Sequence, residues 1–129
     1  MKLNACFLLL VLFAVGCGYG SNYNSTTGTM ATAPAITTIS PSTATAGGPD
    51  FTMTVNGSNF SGSPTVYMNG VLQTTTVVSS SQLTVPVAAS MIMNAATIPV
   101  YVQTTTQTTY NGSTTNSTLK SNSVVFTVN

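Results

Sequence analysis

Very few side chains in this sequence can move a proton or hold a metal. Histidine is absent, Asp50 is the sole acidic residue, and Lys2 and Lys120 are the only basic ones. General acid–base catalysis needs positioned proton donors and acceptors, and a single carboxylate cannot supply a pair. A calcium site draws on several carboxylate oxygens, and Asp50, read as shaping the turn after Pro49, has no acidic neighbour; no metal and no cofactor are expected. The one remaining nucleophile arrangement is a serine activated by a lysine, Ser121 beside Lys120. Ser121-Asn122 fits better as a turn leading into the last strand. Nucleic-acid binding requires several cations to displace counterions from phosphates, which Lys120 alone cannot do. The chain reads as a non-enzyme with no nucleic-acid partner.

What must such a chain position instead? At 129 residues there is room for one domain, and only 2% of the residues are charged while 43% are hydrophobic. The apolar share allows a buried core. Solubility then rests on the hydroxyls and amides of Thr, Ser, Asn and Gln. At the N-terminus, Lys2 precedes an apolar run from Ala5 to Val15 that closes at Gly16-Cys17, the three-part layout of an export signal. The run is well short of the ~20 residues needed to cross a bilayer. Cys6 lies within it, so the processed chain would hold one cysteine and no internal disulfide.

Ala14-Val15-Gly16-Cys17 resembles the lipobox of bacterial lipoproteins, which implies acylation of Cys17 and its exposure as the new N-terminus. Ala14 stands where that family most often has Leu, and the small residues Ala14 and Gly16 also suit ordinary signal-peptidase cleavage. Gly18 replaces the Asp that retains such lipoproteins at the inner membrane, so in a two-membrane bacterium the resemblance implies an envelope protein lipid-anchored at the outer membrane. Two or more acyl chains hold a protein stably on a bilayer. Residues 1–16 are thus assigned to the signal and 17–33 to the lipidated cysteine and a Gly/Ser/Thr/Asn-rich linker. As a random coil that linker would reach about 20 to 25 Å.

From Pro34 to the end, residues 34–129, apolar positions alternate with polar ones between Gly, Pro, Asn and Ser clusters, the signature of a small all-β domain. Phe51/Met53/Val55, Val66/Met68, Leu83/Val85/Val87, Ile98/Val100/Val102 and Val124/Phe126/Val128 each offer one apolar face to an opposing sheet. Met91-Ile92-Met93 is compatible with a single helical turn in a crossover. Asn56-Gly57 and Asn69-Gly70 are turn-type pairs, Gly47-Gly48 lets the backbone swing between sheets, and Pro41 ends the first strand.

Several of these segments together resemble the IPT/TIG family: Pro34-Ala35-Ile36-Thr37-Thr38-Ile39-Ser40-Pro41, Ala46-Gly47-Gly48, Phe51 to Phe60, Val66-Tyr67-Met68-Asn69-Gly70, Leu83-Thr84-Val85-Pro86, Ile98 to Val102 and Ser121 to Val128. The resemblance implies one immunoglobulin-like β-sandwich of two antiparallel sheets and about seven strands, serving binding or spacing.

Tyr110-Asn111-Gly112-Ser113 suits a two-residue type I′ hairpin tip. That tip sets even-numbered residues of one strand opposite odd-numbered residues of the other, whereas Ile98/Val100/Val102 and Val124/Phe126/Val128 are all even. Opposed residues share a face, so a one-residue bulge between Gln103 and Asn122, or an odd-length tip, is expected. The projecting ribbon makes Tyr110, Asn111, Thr108 and Thr109 the candidate contact surface for a protein or glycan partner. Tyr19 and Tyr23 are further exposed aromatics, and the Asn-x-Ser/Thr triplets at Asn24, Asn56, Asn59, Asn111 and Asn116 are assigned no function. The leading expectation is a non-catalytic display or adhesion module. The alternative is a purely structural envelope component, and surface binding through the Thr104-Thr105-Thr106 array, which Gln107 interrupts, ranks third. Mass spectrometry of the processed chain should find its N-terminus at Cys17 with the mass of acyl chains added; an unmodified Cys17 would refute lipidation.

Overall fold

A computed structural model describes residues 31–129. The signal, Cys17, Tyr19, Tyr23, Asn24 and all but the end of the linker lie outside the described residues. Ten strands follow in order: β1 (Ala35–Ser40), β2 (Thr43–Ala44), β3 (Phe51–Ser58), β4 (Ser63–Met68), β5 (Val71–Leu72), β6 (Thr76–Ser79), β7 (Gln82–Val87), β8 (Ala96–Tyr110), β9 (Ser113–Lys120) and β10 (Val124–Val128). A short 3₁₀ turn, Ala89–Ile92, sits between β7 and β8, as the Met91-Ile92-Met93 reading anticipates.

One sheet has the order β1-β3-β7-β6 and the other β2-β10-β8-β4-β5, with β9 alongside the outer half of β8. Taken as A to G, the seven strands β1, β3, β4, β6, β7, β8 and β10 form the ABED and CFG sheets of an immunoglobulin-type sandwich. The expected seven strands are this frame. β2 and β5 are two-residue additions, and β9 extends β8 outward.

Period two places Met53, Val55, Val66, Met68, Leu83, Val85, Val87, Val100, Val102, Phe126 and Val128 in the core between the sheets, each at most 2% exposed. Burying a side chain of this kind contributes about 1.5 to 3 kcal/mol, and with no disulfide or ion pair among the described residues this burial is the main stabilising term. Phe51 and Val124 are half-buried rather than buried. Phe51 packs at the rim with its ring 5.7 Å from that of Phe126. Ile98, 8% exposed, belongs to the core as alternation expects, and Ile36, Phe60 and Ile92, which alternation alone did not single out, complete it.

Three local expectations are corrected. Asn56-Gly57 is no turn but part of β3. A Cβ on Gly57 would collide with the Ala35 carbonyl oxygen and lie 2.7 Å from Phe60 Cζ, so glycine is required there by the close approach of β1. The chain leaves β3 at Asn59, whose φ is 59°. Asp50 lies in no turn of its own but directly before β3: its carboxylate accepts the Ala89 N–H at 2.7 Å and caps the 3₁₀ turn, whose own N-cap residue, Ala88, makes no side-chain bond.

The third correction concerns the bulge. β8 pairs with β9 from Gln103↔Lys120 out to Tyr110↔Ser113 with no shift, and the tip is two residues long with positive φ at both Asn111 and Gly112, as type I′ requires. β8 then pairs with β10 from Val100↔Val124 to Ala96↔Val128. Residues 121–123 therefore face only 101–102, so the extra residue lies at the root of the ribbon, around Asn122-Ser123, and not within it. Ser121 N–H donates to the Val102 carbonyl at 2.8 Å, while Val102 N–H donates to Ser121 Oγ, also at 2.8 Å. The Asn122 side-chain oxygen accepts Ile36 N–H (2.8 Å) and its amide nitrogen donates to the Ile36 carbonyl (3.0 Å). The last sheet connection is thereby clipped to the edge strand of the other sheet.

Replacing Asn122 by Ala strips both partners from the Ile36 backbone. A partly buried donor and acceptor left without partners cost about 1 to 3 kcal/mol, and each kcal/mol lowers Tm by roughly 4 to 8 °C in a domain of this size. Calorimetry should find that loss for Asn122→Ala and almost none for Asn116→Ala on the exposed ribbon.

Candidate interaction surface

The ribbon grows out of β8 because β8 is 15 residues long whereas its neighbour β4 pairs with it only as far as Ser63↔Thr105. Thr residues and Tyr110 carry this extension, and β-branched and aromatic residues favour strands. Beyond Thr105 the hairpin stands as two strands over about 17 Å at ~3.4 Å per residue, and residues 107–118 are all exposed.

Hydrogen bonds along an antiparallel pair alternate between bonded and non-bonded positions. The Ser121–Val102 bond sets the phase. Thr104:Leu119, Thr106:Ser117, Thr108:Thr115 and Tyr110:Ser113 are then the bonded pairs. The backbone groups of Gln107 and Thr109 on β8, and of Thr114, Asn116, Thr118 and Lys120 on β9, point away from the hairpin. Among the described residues no strand pairs with the outer edge of β9.

The expected contact residues divide between two faces. Thr108 and Tyr110 lie on the continuation of the core face with Thr106, Thr115 and Ser117, and Thr109 lies on the outer face opposite Thr114, their hydroxyls 3.3 Å apart. Asn111 forms the tip. Gln107 sits on the outer face, so it does not interrupt the rank Thr104, Thr106, Thr108. Thr104, however, is buried at 2% exposure, and a two-stranded ribbon twists strongly, so the rank offers no flat array.

At the root of the ribbon the outer face carries a stack unmarked in the sequence reading. Tyr67 and Tyr101 are direct cross-strand partners with rings 5.1 Å apart and 3° from parallel, and Lys120 Nζ lies 3.8 Å from the centre of the Tyr101 ring. Period two marks both tyrosines as outward-facing, but only the register between β4 and β8 brings them together. A cation over a tyrosine face is worth about 0.5 to 1 kcal/mol at an exposed site. Since Tyr101 is stacked on one side and capped on the other, the row stiffens the sheet and does not present that ring to a ligand. Leu72, opposite Tyr67, and Val125, opposite Pro99, flank the row as exposed apolar residues.

Of the chemistry-bearing residues, Ser121 Oγ is engaged with Val102 N–H and the Asn122 carbonyl, Lys120 with Tyr101, and Asp50 with Ala89. Among the described residues no three His, Cys, Asp or Glu side chains come together.

No curated protein matches the chain significantly. Among solved structures, the chain is similar to part of a crystal structure described as a candidate phosphatase from Bacteroides thetaiotaomicron, with 16% identity and a TM-score of 0.46. That match covers 76% of this chain and 18% of the other. The family model of the IPT/TIG domain, a non-catalytic immunoglobulin-like module, matches residues 34–128, which is nearly all of the sandwich and its ribbon, and the chain belongs to the IPT/TIG family.

Proposed function

We propose that this protein is a non-catalytic display module of the bacterial cell envelope, anchored through acylated Cys17 at the outer membrane and using the ribbon of β8 and β9 as its contact element. The observation that carries this reading is the ribbon: a fully exposed, uncharged extension on a module of a family whose immunoglobulin-like fold is often used in binding or adhesion. The few side chains suited to chemistry are engaged in structural bonds.

Asn59 Nδ2 donates to the Ala33 carbonyl at 3.4 Å, and Ile36 is clipped to Asn122 at the ribbon root, so the chain enters the sandwich at the end from which the ribbon emerges. The C-terminal Asn129 bonds Ala44 and Ala46 at the other end. An anchor at Cys17 with a linker reaching about 20 to 25 Å would hold neighbouring copies, and their ribbons, within one layer above the membrane.

Two experiments test the reading. Fractionation and surface proteolysis should find the wild type with the membranes and release Cys17→Ser into the soluble fraction; identical behaviour of the two would sink the anchor. Removing residues 107–110 and 113–116 joins Thr106 to Asn111 and Gly112 to Ser117, keeping the turn closed by a hydrogen-bonded pair. This shortened chain should melt within about 2 °C of the parent and lose the parent's binding on a glycan array. No array binding by the parent, with a leaky envelope on deletion of the protein, would favour the purely structural role.

A further inference from the structure

We infer that the outer edge of β9 pairs with the same edge of a second copy of this chain, joining two ribbons into a four-stranded sheet. The inference builds on the reading of the ribbon as the contact element and names its partner. Natural edge strands are normally blunted by charges, proline, bulges or a covering segment. Here the edge runs from Ser113 to Lys120 with no proline, no bulge and, before Lys120 at its root, no charge. A lone two-stranded hairpin is marginal in water, and three or more strands are needed for independent stability.

The geometry admits a two-fold pairing. Thr114, Asn116 and Thr118 present outward N–H and C=O groups, so placing Asn116 opposite Asn116 of the second copy sets Thr114 against Thr118 and forms about six backbone hydrogen bonds. In this register the two Lys120 residues lie about 27 Å apart along the ribbon at ~3.4 Å per residue, so the only charged side chains of the ribbons do not meet. The free edge of β8 offers just Gln107 and Thr109 and is the poorer template. Pairing of this extent buries less than a standard interface, so it is weak in dilute solution and strengthens where copies are concentrated.

The test uses the concentrated full chain carrying Asn116→Cys and a short bis-maleimide. A cross-linked dimer should form, whereas the parent with only its native cysteines, and a Val125→Cys variant exposed elsewhere on the sheet, should give little. In the Asn116→Cys background, Thr118→Pro removes an outward N–H and, within the ribbon, no backbone bond but only the exposed Thr105–Thr118 hydroxyl contact at 3.5 Å, so dimer should fall by on the order of tenfold with a melting temperature within about 2 °C of its parent. Thr118→Pro dimerising like its Asn116→Cys parent would overturn the pairing, and so would an Asn116→Cys product that is monomeric or cross-linked internally to Cys17. Either result would leave glycan binding lost on ribbon shortening, and with it the reading of the ribbon as contact element, intact.

Discussion

The sandwich and its ribbon depend on a change of phase made by Ser121-Asn122-Ser123. Along one side of β8, the residues that face the core are paired first with odd-numbered residues of β9 and then with even-numbered residues of β10. Three residues set against two make that switch, and without it Val124, Phe126 and Val128 would turn outward. A bulge of this sort leaves backbone groups without their ladder partners, and here side chains supply them. Ser121 Oγ takes the Val102 N–H, and the Asn122 amide serves both backbone groups of Ile36, 86 residues away in sequence. The same few residues thus set the inward face of the last strand, root the ribbon and close one sheet against the edge of the other.

This arrangement suits a domain almost without charge. With Asp50 and Lys120 as the only charged side chains of residues 34–129, ion pairs contribute nothing to holding the sheets together, and the work falls to alternating apolar residues and to backbone polar groups that must be satisfied. Each charge has a local task, Asp50 capping the 3₁₀ turn and Lys120 lying over Tyr101. The ribbon beyond is polar through hydroxyls and amides alone. Such a surface is soluble, yet it lacks the charge repulsion that normally keeps exposed strand edges apart, and this shapes how the ribbon meets its surroundings.

Much of the core could be read from period two because each strand buries one face, and the apolar residues of β3, β4, β7, β8 and β10 point inward as alternation requires. The exceptions have physical causes. Phe51 and Val124 sit at the ends of their strands, where the opposing sheet no longer covers them completely. Phe60 and Ile92 lie outside any strand, so no alternation marks them, and they are buried because loops fold over the open ends of the sandwich. Gly57 mimics a turn glycine in sequence but answers to the approach of β1, a contact between residues far apart in the chain. Of the contact set, Tyr110, Asn111, Thr108 and Thr109 were legible as a ribbon tip from Asn-Gly, while their division between two faces awaited the pairing of β8 with β9.

By itself the sequence determined the all-β character, the family, the inward residues of most strands, the position and type of the hairpin tip, and the need for one extra residue between the last two strands. These follow from local chemistry: side-chain alternation, the left-handed conformations that Asn and Gly tolerate, and parity. Only the tertiary structure decided where that residue lies, which far-off backbone Asn122 satisfies, that Tyr67, Tyr101 and Lys120 form a stack, and that the N-terminal end of the domain and the ribbon share one end of the sandwich. Each depends on which strands become neighbours and in what register, a choice made by the packing of the whole core and carried by no single stretch of chain.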